Sequence, residues 1–171
     1  QTQIPFTMKN IYKMLELVIG TTSQRMDKAL VEVFDKVTRH YDENRYNVEG
    51  WKTNSHYLVN RKFILDYMAE TSYGSGLNVR SYSGNHEIIE DLQKALCYIS
   101  GSNYDNIQPA HTLKNITPNT WFDWGHFECK AYKKGTMHFV FKDEKVWADF
   151  NQRVAKLKGY PLYEYKAKKS K

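Results

Sequence analysis

The segment from His126 to Lys142 holds the densest set of groups able to do chemistry. It reads Phe127-Glu-Cys-Lys-Ala-Tyr132, then Lys133-Lys134-Gly135, then Thr136-Met-His-Phe-Val-Phe141. Two alternating runs flank three residues ending in Gly, the pattern of a hairpin whose last loop residue takes a positive φ. That loop pairs Tyr132 with Thr136, Lys130 with His138, and Glu128 with Val140. One face then carries Phe127, Cys129, Ala131, Met137, Phe139 and Phe141, all apolar or small. A two-residue loop at Lys134-Gly135 would mix apolar and charged residues on both faces. The opposite face gathers His126, Glu128, Lys130, Tyr132, His138 and Lys142. Lysines suit phosphates, a Tyr ring suits base stacking, and imidazole beside carboxylate suits proton transfer. We take Lys130, Tyr132, Lys133, Lys134, His138 and Lys142 as candidate nucleic-acid-binding residues, with Trp124 as a further stacking ring.

Other chemistries are less well served. Glu128-Cys129-Lys130 has the Glu-x-Lys spacing of metal-dependent nucleases, which also need an acid on a preceding strand of the same sheet. Asp123 is five residues away, and we expect it to be too close to lie on a separate strand. Asp105 or Glu90 would need a strand hidden in the intervening loop. His126 and Cys129 have a zinc-like spacing, but residues three apart on a strand face opposite ways, and one pair is half a structural site. Gly74-Ser75-Gly76 is too short to cradle a phosphate, and no Ser-centred nucleophile elbow occurs. The Asn-Pro-Pro-Tyr tetrapeptide of adenine methyltransferases, or its Asp variant, does not occur either. No catalytic residue, metal or cofactor is assigned, and the balance is against catalysis by this chain alone.

Several elements must position that hairpin. Met8 to Ile19 reads as a short helix that Gly20 stops. Thr21 or Thr22 caps a second helix, with an apolar stripe at Met26, Ala29, Leu30, Val33, Phe34, Val37 and Tyr41, and the two form an antiparallel helical hairpin. Residues 56–59 and 62–65 read as two strands around a turn at Asn60-Arg61. Residues 70–85 read as a long loop, and 102–120 as a second irregular stretch. Between them, Asn85 caps a helix striped by Ile88, Ile89, Leu92, Ala95, Leu96 and Ile99, which Gly101 ends. Asp143 caps a last helix striped by Val146, Trp147, Phe150, Val154 and Leu157, closed by Gly159 and Pro161. The expected fold is α+β: a helical hairpin plus further helices packed on a small antiparallel sheet made of β-hairpins. We expect one domain over residues 1–163 and a flexible basic tail over 164–171.

The composition sets the outer bounds. A chain of 171 residues, 41% of them hydrophobic, can bury one ordinary core. Thirteen tyrosines suit half-buried margins and contact faces. No apolar run approaches the roughly 20 residues of a membrane span. No signal peptide is visible, and Cys97 and Cys129 read as two buried thiols, so we expect a cytoplasmic protein without membrane contact. The sequon Asn115-Ile116-Thr117 is a weak pointer to secretion. Residues 130–171 hold 12 Lys/Arg and 4 Asp/Glu, a net of +8, whereas residues 1–129 carry a net of −2. Such a localised basic segment is the electrostatic footprint of a polyanion contact or a solubilising tail. The chain begins at Gln1, which leads us to expect a fragment or a processed form.

Gly50-Trp51-Lys52-x-Asn54, Tyr132-Lys133-x-Gly135-x-x-His138-x-x-Phe141-Lys142 and Asn151 together resemble a bacterial family of domains of unknown function, number 4942. The resemblance runs from about Tyr12 to Tyr160, and departs from the family pattern at Lys134, where Asn is usual. It implies a domain found on mobile elements, alone or joined to adenine-specific DNA methyltransferase domains. It carries no catalytic residues. We therefore expect a nucleic-acid-contacting accessory domain, with DNA and a methyltransferase domain in cis or in trans as partners, linked to a methylation or restriction-modification system. The alternatives are a protein-interaction or structural module of a larger bacterial protein, and a metal-dependent nuclease.

Overall fold

The computed structural model describes residues 7–38, 54–55, 57–82 and 84–162. Trp51 and most of its motif, Tyr41, His56 and the basic tail lie outside the described residues. Three α-helices are described: α1 (Met8–Thr38), α2 (Gly84–Ser100) and α3 (Glu144–Lys158). Eight short strands accompany them: β1 (Asn54–Ser55), β2 (Leu58–Val59), β3 (Lys62–Leu65), β4 (Ala69–Thr71), β5 (Leu77–Val79), β6 (Trp121–Trp124), β7 (Phe127–Ala131) and β8 (Met137–Phe141). The class is α+β, as the patterning requires.

The main sheet is antiparallel throughout, in the order β3-β8-β7-β6. Its inner face is aromatic: Phe63 stacks on Phe139 with ring centroids 5.1 Å apart, and Phe127 meets Phe141 edge-on at 4.8 Å. One continuous hydrophobic cluster joins this face to Leu30, Val33 and Phe34 of α1, Leu92 and Leu96 of α2, and Phe150 and Val154 of α3. Both thiols are buried and free, and burial pushes that of Cys129 well up, so it stays protonated.

Several expectations fail. Gly20 does not stop a helix; α1 runs through it for 31 residues, so no helical hairpin forms. A glycine ends a helix by adopting a positive φ, and Gly20 is not among those that do. The Thr21 and Thr22 hydroxyls donate to the Leu17 and Val18 carbonyls four residues back instead of capping. Of the two expected strands, the described residues 57–59 do not pair with 62–65: β2 pairs with β1, and β3 pairs with β8. The expected loop at 70–85 contains the hairpin β4–β5, and Leu77 also bridges Ile116 across the second irregular stretch. Asn85 falls inside α2, where its side-chain Nδ2 donates to the Asp66 carbonyl.

The third helix is built as its caps dictate. The Asp143 carboxylate accepts from the Lys145 and Val146 amides, and Gly159 closes the helix at φ 67°. Two of its basic residues are tied to α1: Arg153 pairs with Asp27 at 2.8 Å and Lys158 with Asp35. Among the described residues no helix is long and apolar enough to cross a membrane.

Candidate nucleic-acid interface

The β7–β8 hairpin has the register its pattern demands. Lys130 opposes His138 and Glu128 opposes Val140. The Tyr132 amide donates to the Thr136 carbonyl, and the Gly135 amide donates back to the Tyr132 carbonyl. Gly135 sits at φ 99°, which a side chain would strain. Its carbonyl accepts from the Met68 and Ala69 amides, so the tip is bolted to the chain leading into β4. Lys133 and Lys134 remain exposed on this fixed tip.

Strand order then sets the outer face. One row runs Trp121, Lys130, His138, Ile64, and the next runs Asp123, Glu128, Val140, Lys62. The Lys130 ammonium lies 4.6 Å from the centre of the Trp121 ring, and the Tyr132 and His138 rings are 4.6 Å apart. Trp121 is 43% exposed whereas Ile64 is 3% exposed, so the open part of this face lies towards β6 and β7. His138 is half-buried beside Lys134 and Lys130. Desolvation, aided by those two charges, lowers its pKa to about 4. At neutral pH it is an uncharged hydrogen-bonding ring, not a cation.

Not every sequence candidate reaches this face. Trp124 is 2% exposed, and its indole N–H donates to the Gln108 carbonyl, so it is a core residue and no stacking platform. Trp121 takes that position. Lys142 is exposed, but it lies beside His126 at the far end of the strands, roughly 17 Å along β7 from the lysine tip at about 3.4 Å per residue. His126 leaves the face altogether. Its backbone amide is 2.9 Å from Gln93 Oε1, and its Nδ1 is also 2.9 Å from that oxygen, while Gln93 Nε2 donates to the Trp124 carbonyl. Burial lowers the pKa of His126, and the nearby Lys142 charge adds to this. Lys130, Tyr132, Lys133, Lys134 and His138 are the five that the fold keeps together.

Asp123 is the second correction. Gly125-His126 forms a two-residue turn with Gly125 at φ 56°, as a type II′ turn asks of its first central residue. That turn puts Asp123 on its own strand, directly across from Glu128. The readable signal was Gly125 between two alternating runs. Among the described residues no three His, Cys, Asp or Glu side chains gather into a metal-binding group.

The fold and the face define an α+β domain with a partly open aromatic and basic sheet surface. The chain belongs to the family described as a domain of unknown function, DUF4942, whose profile matches residues 1–160. No curated protein and no solved structure matches it. Several motif residues prove structural. Phe141 is core, Gly135 makes the turn, and Asn151 clamps β2 from α3.

Proposed function

We propose that the hairpin tip and the adjoining outer face contact nucleic acid. In this reading the domain is an accessory to an adenine-specific DNA methyltransferase or restriction-modification system in the cytoplasm. The observation that carries it is the lysine tip Lys133-Lys134 held rigidly beside Lys130, Tyr132 and Trp121. Lysines supply salt-dependent phosphate affinity, and the rings offer π-faces to bases. The methyltransferase link rests on the family resemblance.

The test is fluorescence anisotropy with single- and double-stranded DNA at about 50 and 200 mM salt. Micromolar binding that weakens steeply with salt is expected. The charge reversal Lys133→Glu with Lys134→Glu should weaken it by about tenfold or more, since it removes two phosphate contacts and adds repulsion. Undiminished binding by that variant would move the contact elsewhere, and no binding by the parent chain at low salt would end the reading.

One observation favours a second reading. Asp123 facing Glu128 across the ladder is a like-charge pair that costs stability on an ordinary sheet face, and Lys130 is two residues on. Two carboxylates and a lysine on one face could hold a divalent ion and a scissile phosphate. Magnesium-dependent DNA cleavage that disappears in Glu128→Ala would support this, and equal cleavage by parent and variant would exclude it.

A further inference from the structure

Another polar cluster lies where the end of α2 meets the turn between β6 and β7, away from the lysine tip. Gln93 of α2 is fully buried and reaches into that turn. Its Nε2 donates to the Trp124 carbonyl at 2.8 Å, and its Oε1 accepts from the His126 backbone amide at 2.9 Å. Those two bonds fix which end of the side-chain amide is the oxygen. Gly125 lets the turn close on it, since a Cβ there would sit 2.5 Å from Oε1. His126 Nδ1 lies 2.9 Å from the same oxygen, which can only accept. Nδ1 therefore carries the ring proton and Nε2 keeps a lone pair. Nε2 is 3.5 Å from the hydroxyls of both Ser100 and Ser102, which are 2.7 Å from each other. Burial and the Lys142 charge, opposed by Asp143, hold the imidazole pKa below its usual value, so at neutral pH the ring is an unprotonated base.

We propose that Ser102 is a nucleophile towards activated esters, with His126 Nε2 as its general base. Ser102 is exposed just past the end of α2, where Gly101 turns the chain at φ 72°. Its hydroxyl donates to Nε2, and Ser100 donates in turn to Ser102 Oγ, which steadies the charge that develops there. In the first step Ser102 Oγ bonds to the ester carbonyl carbon and its proton passes to Nε2. The bond from that carbon to the leaving oxygen breaks, and the departing oxygen takes the proton from Nε2. The acyl group stays on Ser102 and an alcohol leaves. Water then repeats the sequence, releasing the acid and restoring the hydroxyl. A small pocket adjoins the imidazole, walled by Gly125, Phe141 and Val146 with Lys142 and Asp143 exposed beside it. The Phe141 and Val146 walls suit a short apolar acyl chain.

Two probes test the proposal: a biotin-bearing fluorophosphonate, whose phosphorus takes a serine oxygen and releases fluoride, and p-nitrophenyl butyrate. The parent chain should carry the label on Ser102, located by peptide mass spectrometry, and should release p-nitrophenol. His126→Phe should slow both reactions by about 100-fold or more, the lower end of what a general base supplies. Ser102→Ala should lose the label with an unchanged melting curve, because the side chain is exposed. That variant decides the matter even where His126→Phe does not fold. A parent chain that takes no label, or takes it on Ser100 or Lys142 instead, overturns the proposal. Ester turnover equal in the parent chain and Ser102→Ala overturns it as well, and equal labelling of Ser102 in a folded His126→Phe chain removes the imidazole from the reaction.

Discussion

His138 shows how a single position can be legible in register and still misread in charge. Its pairing with Lys130 follows from the alternation of the hairpin, but its neutral state follows from burial and two neighbouring ammonium groups. The consequence for stability has a definite sign. The unfolded chain binds a proton near pH 6.5 and the folded chain only near about 4, so the fold loses stability as pH falls through that interval. His138→Phe keeps a ring beside Tyr132 and removes the titration. Melting temperatures measured from pH 7.5 down to 4.5 should drop less in the variant than in the parent chain; parallel curves would refute the shift. Trp121 and Trp124 present the complementary case. They lie three apart on one strand and so face opposite ways. Which one is buried depends on the parity set by the Gly125-His126 turn, a turn of two residues that carries no apolar signal of its own.

At the level of the elements, the stripe of α2, its end at Gly101 and both caps of α3 were readable because each is a local pattern. The partner of β3 was not, since β8 lies more than 70 residues away and a four-residue strand carries no mark of its neighbour. Strands of three residues, such as β4 and β5, are hidden in the same way among Ser, Gly and Tyr. The break expected at Gly20 mistook a weak helix former for a stop. Since α1 continues there and a Cβ would meet nothing within 4 Å, Gly20→Ala should stabilise the protein. The gain should be about 0.5–1 kcal/mol, or roughly 1–4 °C in melting temperature for a chain of this size. No gain would mean that the helix is interrupted in solution.

Across the whole molecule, the charge asymmetry visible in the composition divides into two parts. Arg153 and Lys158 are matched by Asp27 and Asp35 of α1, so the basic character of α3 is largely compensated within the fold. Exposed pairs of this kind add little stability, about 0–1 kcal/mol each; the other part is the hairpin tip, where Lys133 and Lys134 are exposed. A composition count cannot see this, because Arg153 and Asp27 are 126 residues apart. Long separation also marks the tie between α3 and β2. Asn151 Oδ1 accepts from the Val59 amide at 2.8 Å, while Asn151 Nδ2 and the Trp147 indole both donate to the Val59 carbonyl. A strand of two residues would ordinarily surrender its amide protons within a local fraying motion. The Val59 proton can leave only when α3 lifts away, so in deuterium exchange it should persist as long as the core amides of α3. A fast-exchanging Val59 would mean that β2 detaches on its own.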